Sequence, residues 1–262
     1  MFPQLFHLGH FALPTYGFLV ALGVLTGLIV TTKLAPSQKI NPDDAWNLGV
    51  LVVLAAIIGA KLLLIINDFG WYTSHPREIF SLSMVQAGGV FYGGVIAALV
   101  TAAFYMRKHH MPALRTCDTF APGLALGHSI GRIGCFAAGC CFGKPTNHWW
   151  GVVFTNPLSQ APLNVRLEPT ELFEAAIELI NFFILYWLFQ RKKFEGQIIG
   201  SYLLQRTGVA SDGRTDSAYN DRITRFHFSC TTHRGICNLS FLCLRRVFYA
   251  IYYKPKIRSA FR

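Results

Sequence analysis

Long apolar stretches separated by short polar loops dominate the first 204 residues of the chain. Each stretch is close to 20 residues long, which is the length that a helix needs to cross a hydrocarbon layer of ~30 Å. The pattern predicts spans at residues 13–32, 48–66, 90–106, 120–139 and 172–189, and a sixth that begins at Gly196. We therefore predict an all-α polytopic membrane protein, a bundle of about five to seven transmembrane helices.

Charge in the loops gives the orientation of this predicted bundle. Lys and Arg cluster after the first, third and fifth spans and are sparser after the second and fourth. Because positively charged loops stay on the cytoplasmic side, the pattern predicts an N-terminus outside the cell. The first stretch lacks a basic leader and a small-residue cleavage site, so we interpret it as a retained helix. Overall, 52% hydrophobic and 14% charged residues favour an integral membrane protein over a soluble domain.

The character of the chain changes at Gln205. Residues 205–262 show no helical or strand periodicity, and they carry +8 of the formal net charge of +11. We therefore divide the chain into a transmembrane core at 1–204 and a basic tail at 205–262. Two interpretations of the tail stay open: a disordered segment that binds anionic lipid, and a reading-frame change near Leu204 that leaves the sixth span interrupted. The basic balance belongs to this tail, so it does not indicate nucleic-acid binding.

One arginine lies deep within an apolar segment. Arg132 sits in GLALGHSIGRIGCFAAGCCFGKP, residues 123–145. An arginine at bilayer depth costs about 2.5–3.5 kcal/mol or more unless it faces a polar cavity or a partner. Six glycines, at positions 123, 127, 131, 134, 139 and 143, let a backbone or a ligand approach closely. A fixed positive charge beside bare backbone suits the head group of an anionic lipid.

Other polar residues fall within or beside the predicted spans. His128 shares a helix face with Arg132, since the two are four residues apart, and Glu171, Glu174 and Glu178 share another face. The glutamates are either structural partners for Arg132 or functional groups, and both alternatives stay open. Tyr16 and Tyr92 lie near span ends, where a tyrosine is more often an interfacial residue than a catalytic one.

Seven cysteines do not form a disulfide framework, since their number is odd and three fall in or beside an apolar segment. Cys135, Cys140 and Cys141 have C-x4-C-C spacing, which is not a usual metal signature and has no confirming pair of histidines. We therefore interpret these three as packing residues. On this interpretation the chain is predicted to hold no metal.

Several segments together resemble the bacterial prolipoprotein diacylglyceryl transferase family. The segment GRIGCFAAGCCFGKP, preceded by DTFAPGLALGHSI, resembles the family's signature region. Matches in family order also occur in LPTYGFLVALG, GAKLLLIINDF, GGVFYGGVIAALV and EPTELFEAAIE, so that the resemblance covers roughly residues 10 to 204.

The resemblance implies a multi-pass enzyme of the bacterial inner membrane, working without a cofactor and without nucleic acid. Such an enzyme moves the diacylglyceryl group of phosphatidylglycerol onto the lipobox cysteine of a prolipoprotein and releases glycerol phosphate. The implied catalytic residues are Tyr92 and Arg132. The implied substrate-binding residues are Arg132, Tyr16, Gly93, Gly94, His128, Gly134, Gly143 and Glu174.

The chain also departs from the family pattern. Tyr92 stands where the family often has histidine, Cys135 where it has asparagine, and Cys140 where it has glutamate. A later arginine of the family finds no match after Leu204. Two alternatives to the enzyme therefore stay open: an inactive truncated paralogue, and a membrane protein that binds or transports anionic lipid without chemistry.

Overall fold

The computed structural model describes residues 3–8, 11–76 and 89–211. Most of these residues are helical, which confirms the predicted fold class. The helices are α1 Thr15–Leu34, α2 Pro42–Asn67, α3 Phe69–Ser74, α4 Phe91–Lys108, α5 Ala113–Ala138, α6 Thr170–Gln190 and α7 Gln197–Ser211, and a 3-10 turn spans Ala35–Gln38. Two short antiparallel pairs join β1 Gln4–Leu8 to β2 Phe11–Pro14, and β3 Val152–Val153 to β4 Arg166–Leu167.

Three helical segments in the described part of the chain are long and apolar enough to cross a membrane: Thr15–Gln38, Pro42–Asn67 and Thr170–Gln190. Large apolar side chains cover their outward surfaces, and in α2 these include Ile57, Ile58, Leu62 and Ile66, each more than half exposed. Contiguous apolar surface of this kind is unfavourable in water. It is the surface that a hydrocarbon environment requires, so the chain is a membrane protein.

The described residues form two compact units, one from residues up to 27 together with 120–211, and one from residues 28–119. In the second unit, α2 packs along α4 through small residues. A Cβ atom added to Gly94 would lie 3.0 Å from the carbonyl oxygen of Ala56. The backbone N–H of Val90 donates to the carbonyl oxygen of Ala60 at 3.0 Å, at the start of α4. Close backbone contact of this kind is typical of helix pairs in membranes.

In the first unit, α1 and α5 approach each other through glycines. A Cβ atom on Gly23 would lie 2.6 Å from the carbonyl oxygen of Gly127, and one on Gly27 would lie 2.7 Å from that of Gly123. A side chain at either position would overlap the backbone of α5, which cannot shift as a flexible side chain could. The predicted close-approach surface of α5 is therefore confirmed at Gly123 and Gly127, where the approaching group is another helix.

Gly23→Ala is expected to destabilise the protein by about 1–3 kcal/mol, since overpacking a tight contact costs this much. Gly131→Ala is the matched control, because a Cβ atom there would meet nothing within 4 Å. The measurement is the thermal unfolding midpoint of each variant in detergent. Equal midpoints for the two variants would contradict the tight α1–α5 contact.

The segment between α5 and α6 is not a membrane span, in agreement with its polar sequence. Its small core consists of buried Phe142, Phe154, Ala161 and Leu167, with Phe136 and Val165 packed against them. The β3–β4 pair closes this core from one side, with Val152 opposite Leu167. The core fixes the loop that leaves α5 against the start of α6, and both of those ends carry polar residues.

The last described helix extends past the predicted core boundary. α7 begins close to the expected start at Gly196 and continues through Gln205 and Arg206 to Ser211. Residues 212–262, most of the predicted basic tail, lie outside the described residues. The division of the chain at Leu204 stays a prediction.

Candidate functional site

An ion pair joins α5 to α6 in the first unit. The Arg132 Nη2 atom lies 2.5 Å from Glu174 Oε2, and the two side chains are only 19% and 11% exposed. The structure thus gives Glu174 as a partner of Arg132. Substrate-binding roles for Glu174 and His128 stay predictions. Pairing offsets part of the cost of holding a cation in an apolar bundle.

A second charged cluster connects α5, α6 and α7. The Arg206 Nη1 group donates a hydrogen bond to Glu178 Oε1 at 2.8 Å and lies 3.1 Å from His128 Nδ1. The distance from His128 Nδ1 to the same Glu178 oxygen is 3.3 Å. Glu178 is 1% exposed, so its carboxylate depends on these neighbours for stabilisation.

The two charged clusters are about one helical turn apart, and a hydrogen bond between α5 and α6 lies between them. The Ser129 hydroxyl donates to the carbonyl oxygen of Ala175 at 2.8 Å, in a buried position that fixes α5 against α6. His128 and Arg132 share a face of α5, as their spacing predicts, and the glutamates line the buried face of α6. Two cations and their carboxylates therefore form a polar column inside the first unit.

Arg206 is the residue that the sequence analysis missed. The apolar pattern predicts no arginine of the core after Leu204, because Gln205 and Arg206 interrupt the sixth span. The sequence does contain a pattern that could have predicted a helical Arg206. In GSYLLQR, Tyr202 and Arg206 are four residues apart and so share one helix face. The deeply placed Glu178 also requires a cation, and Arg206 supplies it.

Tyr16 and Gly134 lie beside each other in the unit that contains Arg132. Tyr16 is the second residue of α1 and is 45% exposed. A Cβ atom on Gly134 would lie 3.5 Å from Tyr16 Cδ2, so the glycine leaves room for the ring against α5. Tyr16 interacts electrostatically with Arg132 and with three cysteines at the end of α5. The structure thus brings Tyr16 close to the candidate site.

Gly143 has a packing position at the start of α6. Its N–H donates to the carbonyl oxygen of Glu168 at 3.1 Å, and a Cβ atom would lie 2.7 Å from Thr170 Cγ2. The Thr170 hydroxyl in turn donates to the carbonyl oxygen of Cys141 at 3.1 Å. These contacts bind the loop after α5 to the helix that carries Glu174, and direct contact of Gly143 with a substrate stays a prediction.

Tyr92, Gly93 and Gly94 belong to the other unit, Leu28–Thr119. Gly93 and Gly94 are buried in the contact of α4 with α2, and Tyr92 is half-buried with its ring edge-on to that of Phe91, 6.0 Å between centroids. The packing accounts for both glycines. A catalytic role for Tyr92 and a substrate-binding role for the glycines stay predictions.

Three cysteine thiols gather where α5 ends. The sulfur atoms of Cys135, Cys140 and Cys141 all lie within 4.8 Å of one another. Interaction with the Cys135 thiol is the largest cause that raises the pKa of both the Cys140 and the Cys141 thiols, and burial adds to it. Both thiols are therefore protonated at neutral pH when nothing is bound to them.

The chemistry of the site is that of an anion receptor in an apolar protein. A guanidinium has five N–H donors and binds carboxylate and phosphate oxygens in a planar fork. Arg132 is 19% exposed, so an anionic group that approaches along the bundle can reach it. The fold and the site define a helical membrane protein in which two arginines, each paired with a glutamate, lie between the helices.

Comparison with known proteins gives the family. A family profile described as prolipoprotein diacylglyceryl transferase matches residues 3–209, which include Arg132 and Arg206. The chain belongs to this family. It is 33% identical over 204 residues, 78% of this chain and 80% of the relative, to a phosphatidylglycerol–prolipoprotein diacylglyceryl transferase of Clostridium tetani (strain Massachusetts / E88). A protein of the same name from Finegoldia magna (strain ATCC 29328 / DSM 20472 / WAL 2508) is 34% identical over 191 residues, 72% of this chain and 73% of that relative.

Proposed function

We propose that this protein transfers the diacylglyceryl group of phosphatidylglycerol to the lipobox cysteine thiol of prolipoproteins. The observation that carries the proposal is the Arg132 guanidinium, held by Glu174 inside an apolar bundle in a chain of this family. A buried fixed cation recognises an anionic head group whose acyl chains extend into hydrocarbon. The protein then works as a multi-pass enzyme of the bacterial inner membrane, with its N-terminus outside.

The proposed reaction is a displacement at a glycerol carbon. The substrate sulfur bonds to that carbon, the carbon–oxygen bond to phosphate breaks, and its electron pair leaves with glycerol phosphate. Arg132 stabilises the charge that develops on the departing phosphate oxygens. A phenol is a poor general base at neutral pH, so we do not assign proton removal to Tyr92. The thiol proton passes to water or to a base at the membrane surface.

The test is a transfer assay with the purified full chain in phosphatidylglycerol vesicles. A lipobox peptide is expected to acquire a thioether-linked diacylglyceryl group, and the same peptide with serine in place of cysteine is expected to acquire none. Mass spectrometry of the peptide gives the outcome. Failure of the cysteine peptide to react, in a preparation that binds phosphatidylglycerol, would refute the enzyme and favour the lipid-binding or transport alternative. Absence of both binding and transfer would favour the inactive paralogue.

We propose in addition that the part of the basic tail beyond α7, residues 212–262, lies outside the folded core, as its composition indicates. A segment that buries little apolar surface cannot offset its own ordering entropy. Limited proteolysis is therefore expected to remove residues from the tail while the core, shielded by detergent, resists. Because α7 reaches Ser211 and Arg206 is hydrogen-bonded, we expect the first cuts beyond residue 211. Protection of the whole chain would contradict this division.

A further inference from the structure

The thiols of Cys135, Cys140 and Cys141 are brought together by the backbone at the end of α5. The helix ends at Ala138, and the φ of 70° at Gly139 lies in the left-handed region that commonly follows a helix. The N–H of Cys140 then donates to the carbonyl oxygen of Cys135 at 3.1 Å. This hydrogen bond folds the loop back over the last helical turn, so that the three sulfur atoms lie within 4.8 Å of one another.

The loop that carries Cys141 has an uncommon backbone conformation, and a hydrogen bond from α6 maintains it. Cys141 has a φ of 62°, which is uncommon for a residue with a Cβ atom. The hydrogen bond from the Thr170 hydroxyl to the Cys141 carbonyl oxygen, at 3.1 Å, keeps it there. Local strain that neighbouring elements maintain is typical of functional sites. Packing of three small apolar side chains does not require it.

A second, independent observation is the carboxylate of Glu171 in the first turn of α6. This side chain is 1% exposed, and neither of its oxygens has a hydrogen-bond partner among the residues that the structure describes. Buried carboxylates are normally paired, or they coordinate a metal. Glu171 directly follows Thr170, whose hydroxyl donates to the Cys141 carbonyl oxygen at 3.1 Å, and it interacts electrostatically with Cys135 and Cys141.

We propose that Cys135, Cys140 and Cys141 bind one thiophilic cation, Zn²⁺, with Glu171 as the oxygen donor that completes a tetrahedral site. Thiolates at the usual zinc–sulfur distance of about 2.3 Å lie about 3.8 Å apart, so small side-chain rotations close the observed cluster around an ion. Three thiolates and a carboxylate exceed the charge of a divalent cation. The excess is two negative charges, and the nearby Arg132 guanidinium, which also pairs with Glu174, offsets part of it.

This proposal replaces the packing interpretation that the spacing of the three cysteines favours, and it does not depend on the transferase reaction. The ion would fix the loop after α5 in place beside Arg132, so the site is expected to stabilise the region that receives the head group. It would bind in the same way in an inactive protein.

The test is metal binding by the full chain, purified under reducing conditions and loaded with Zn²⁺. One equivalent is expected by elemental analysis, and substitution with Co²⁺ is expected to give the thiolate-to-cobalt absorption of a tetrahedral site. Cys135→Ser is expected to lower the affinity 100-fold or more, and Glu171→Gln about 10–100-fold. Size-exclusion profiles and thermal midpoints show that each variant is folded.

Two controls separate this cluster from the other cysteines of the chain. Cys117→Ser changes a cysteine of α5 outside the cluster, and a variant with serine at positions 230, 237 and 243 changes those outside the described residues. Both are expected to retain the full equivalent. Loss of zinc in the latter variant alone, unchanged affinity in Cys135→Ser, or no bound metal in the wild type would overturn the proposal. Binding of Cu⁺ only, unaffected by Glu171→Gln, would overturn the zinc assignment and the role of Glu171.

Discussion

Replacing Arg132 with alanine is expected to lower diacylglyceryl transfer by about 100- to 1,000-fold, the usual effect of removing a group that stabilises developing charge. Affinity for phosphatidylglycerol is expected to fall in the order wild type, Arg132→Lys, Arg132→Ala. Lysine keeps the charge but lacks the planar fork that binds two phosphate oxygens together. The measurements are vesicle binding and the initial rate with a lipobox peptide.

The controls for this prediction deal with charge and stability. Arg107→Ala removes an exposed arginine at the end of α4 and is expected to leave the rate unchanged. Arg132→Ala also leaves Glu174 without the partner seen at 2.5 Å, so the double variant Arg132→Ala/Glu174→Gln separates lost stability from lost recognition. Equal lipid affinity in wild type, Arg132→Lys and Arg132→Ala would refute the head-group role of Arg132.

Replacing Arg206 with methionine is expected to destabilise the protein by about 3–5 kcal/mol, because it removes the arginine partner of the buried Glu178 carboxylate. Glu178 is 1% exposed and accepts the Arg206 hydrogen bond at 2.8 Å. The double variant Glu178→Gln/Arg206→Met is expected to recover much of this loss, since removing both charges also removes the desolvation cost. The measurement is the unfolding midpoint in detergent for the four members of the cycle.

The matched control for the second prediction is Arg191→Met. Arg191 caps the C-terminus of α6 and lies 4.5 Å from the centre of the Trp187 ring, in an exposed position. An exposed cation–π contact contributes about 0.5–1 kcal/mol, so a small effect is expected. If Arg206→Met were no more destabilising than Arg191→Met, the charged cluster of α5, α6 and α7 would not contribute to stability as the geometry requires.

The sequence by itself determines the elements of this protein and the faces of its helices. Apolar length alone predicts α1, α2 and α6, because a span of fixed thickness requires a fixed number of residues. Helical spacing places His128 with Arg132, and Glu174 with Glu178, since residues three or four apart share a face. The segments in family order also indicate the family that the comparison gives. All of these properties are local, or follow from residues in order along the chain.

Only the tertiary structure decides which of these groups meet. The pairing of Arg132 with Glu174, and of Glu178 with Arg206, depends on the rotation and offset of α5, α6 and α7. Those quantities are set by packing between distant segments, such as Gly23 against Gly127. Likewise, C-x4-C-C spacing does not show that left-handed turns at Gly139 and Cys141 gather three thiols. Arg206 interrupts an apolar run in the sequence, and it becomes part of the core because a buried carboxylate on another helix stabilises its charge.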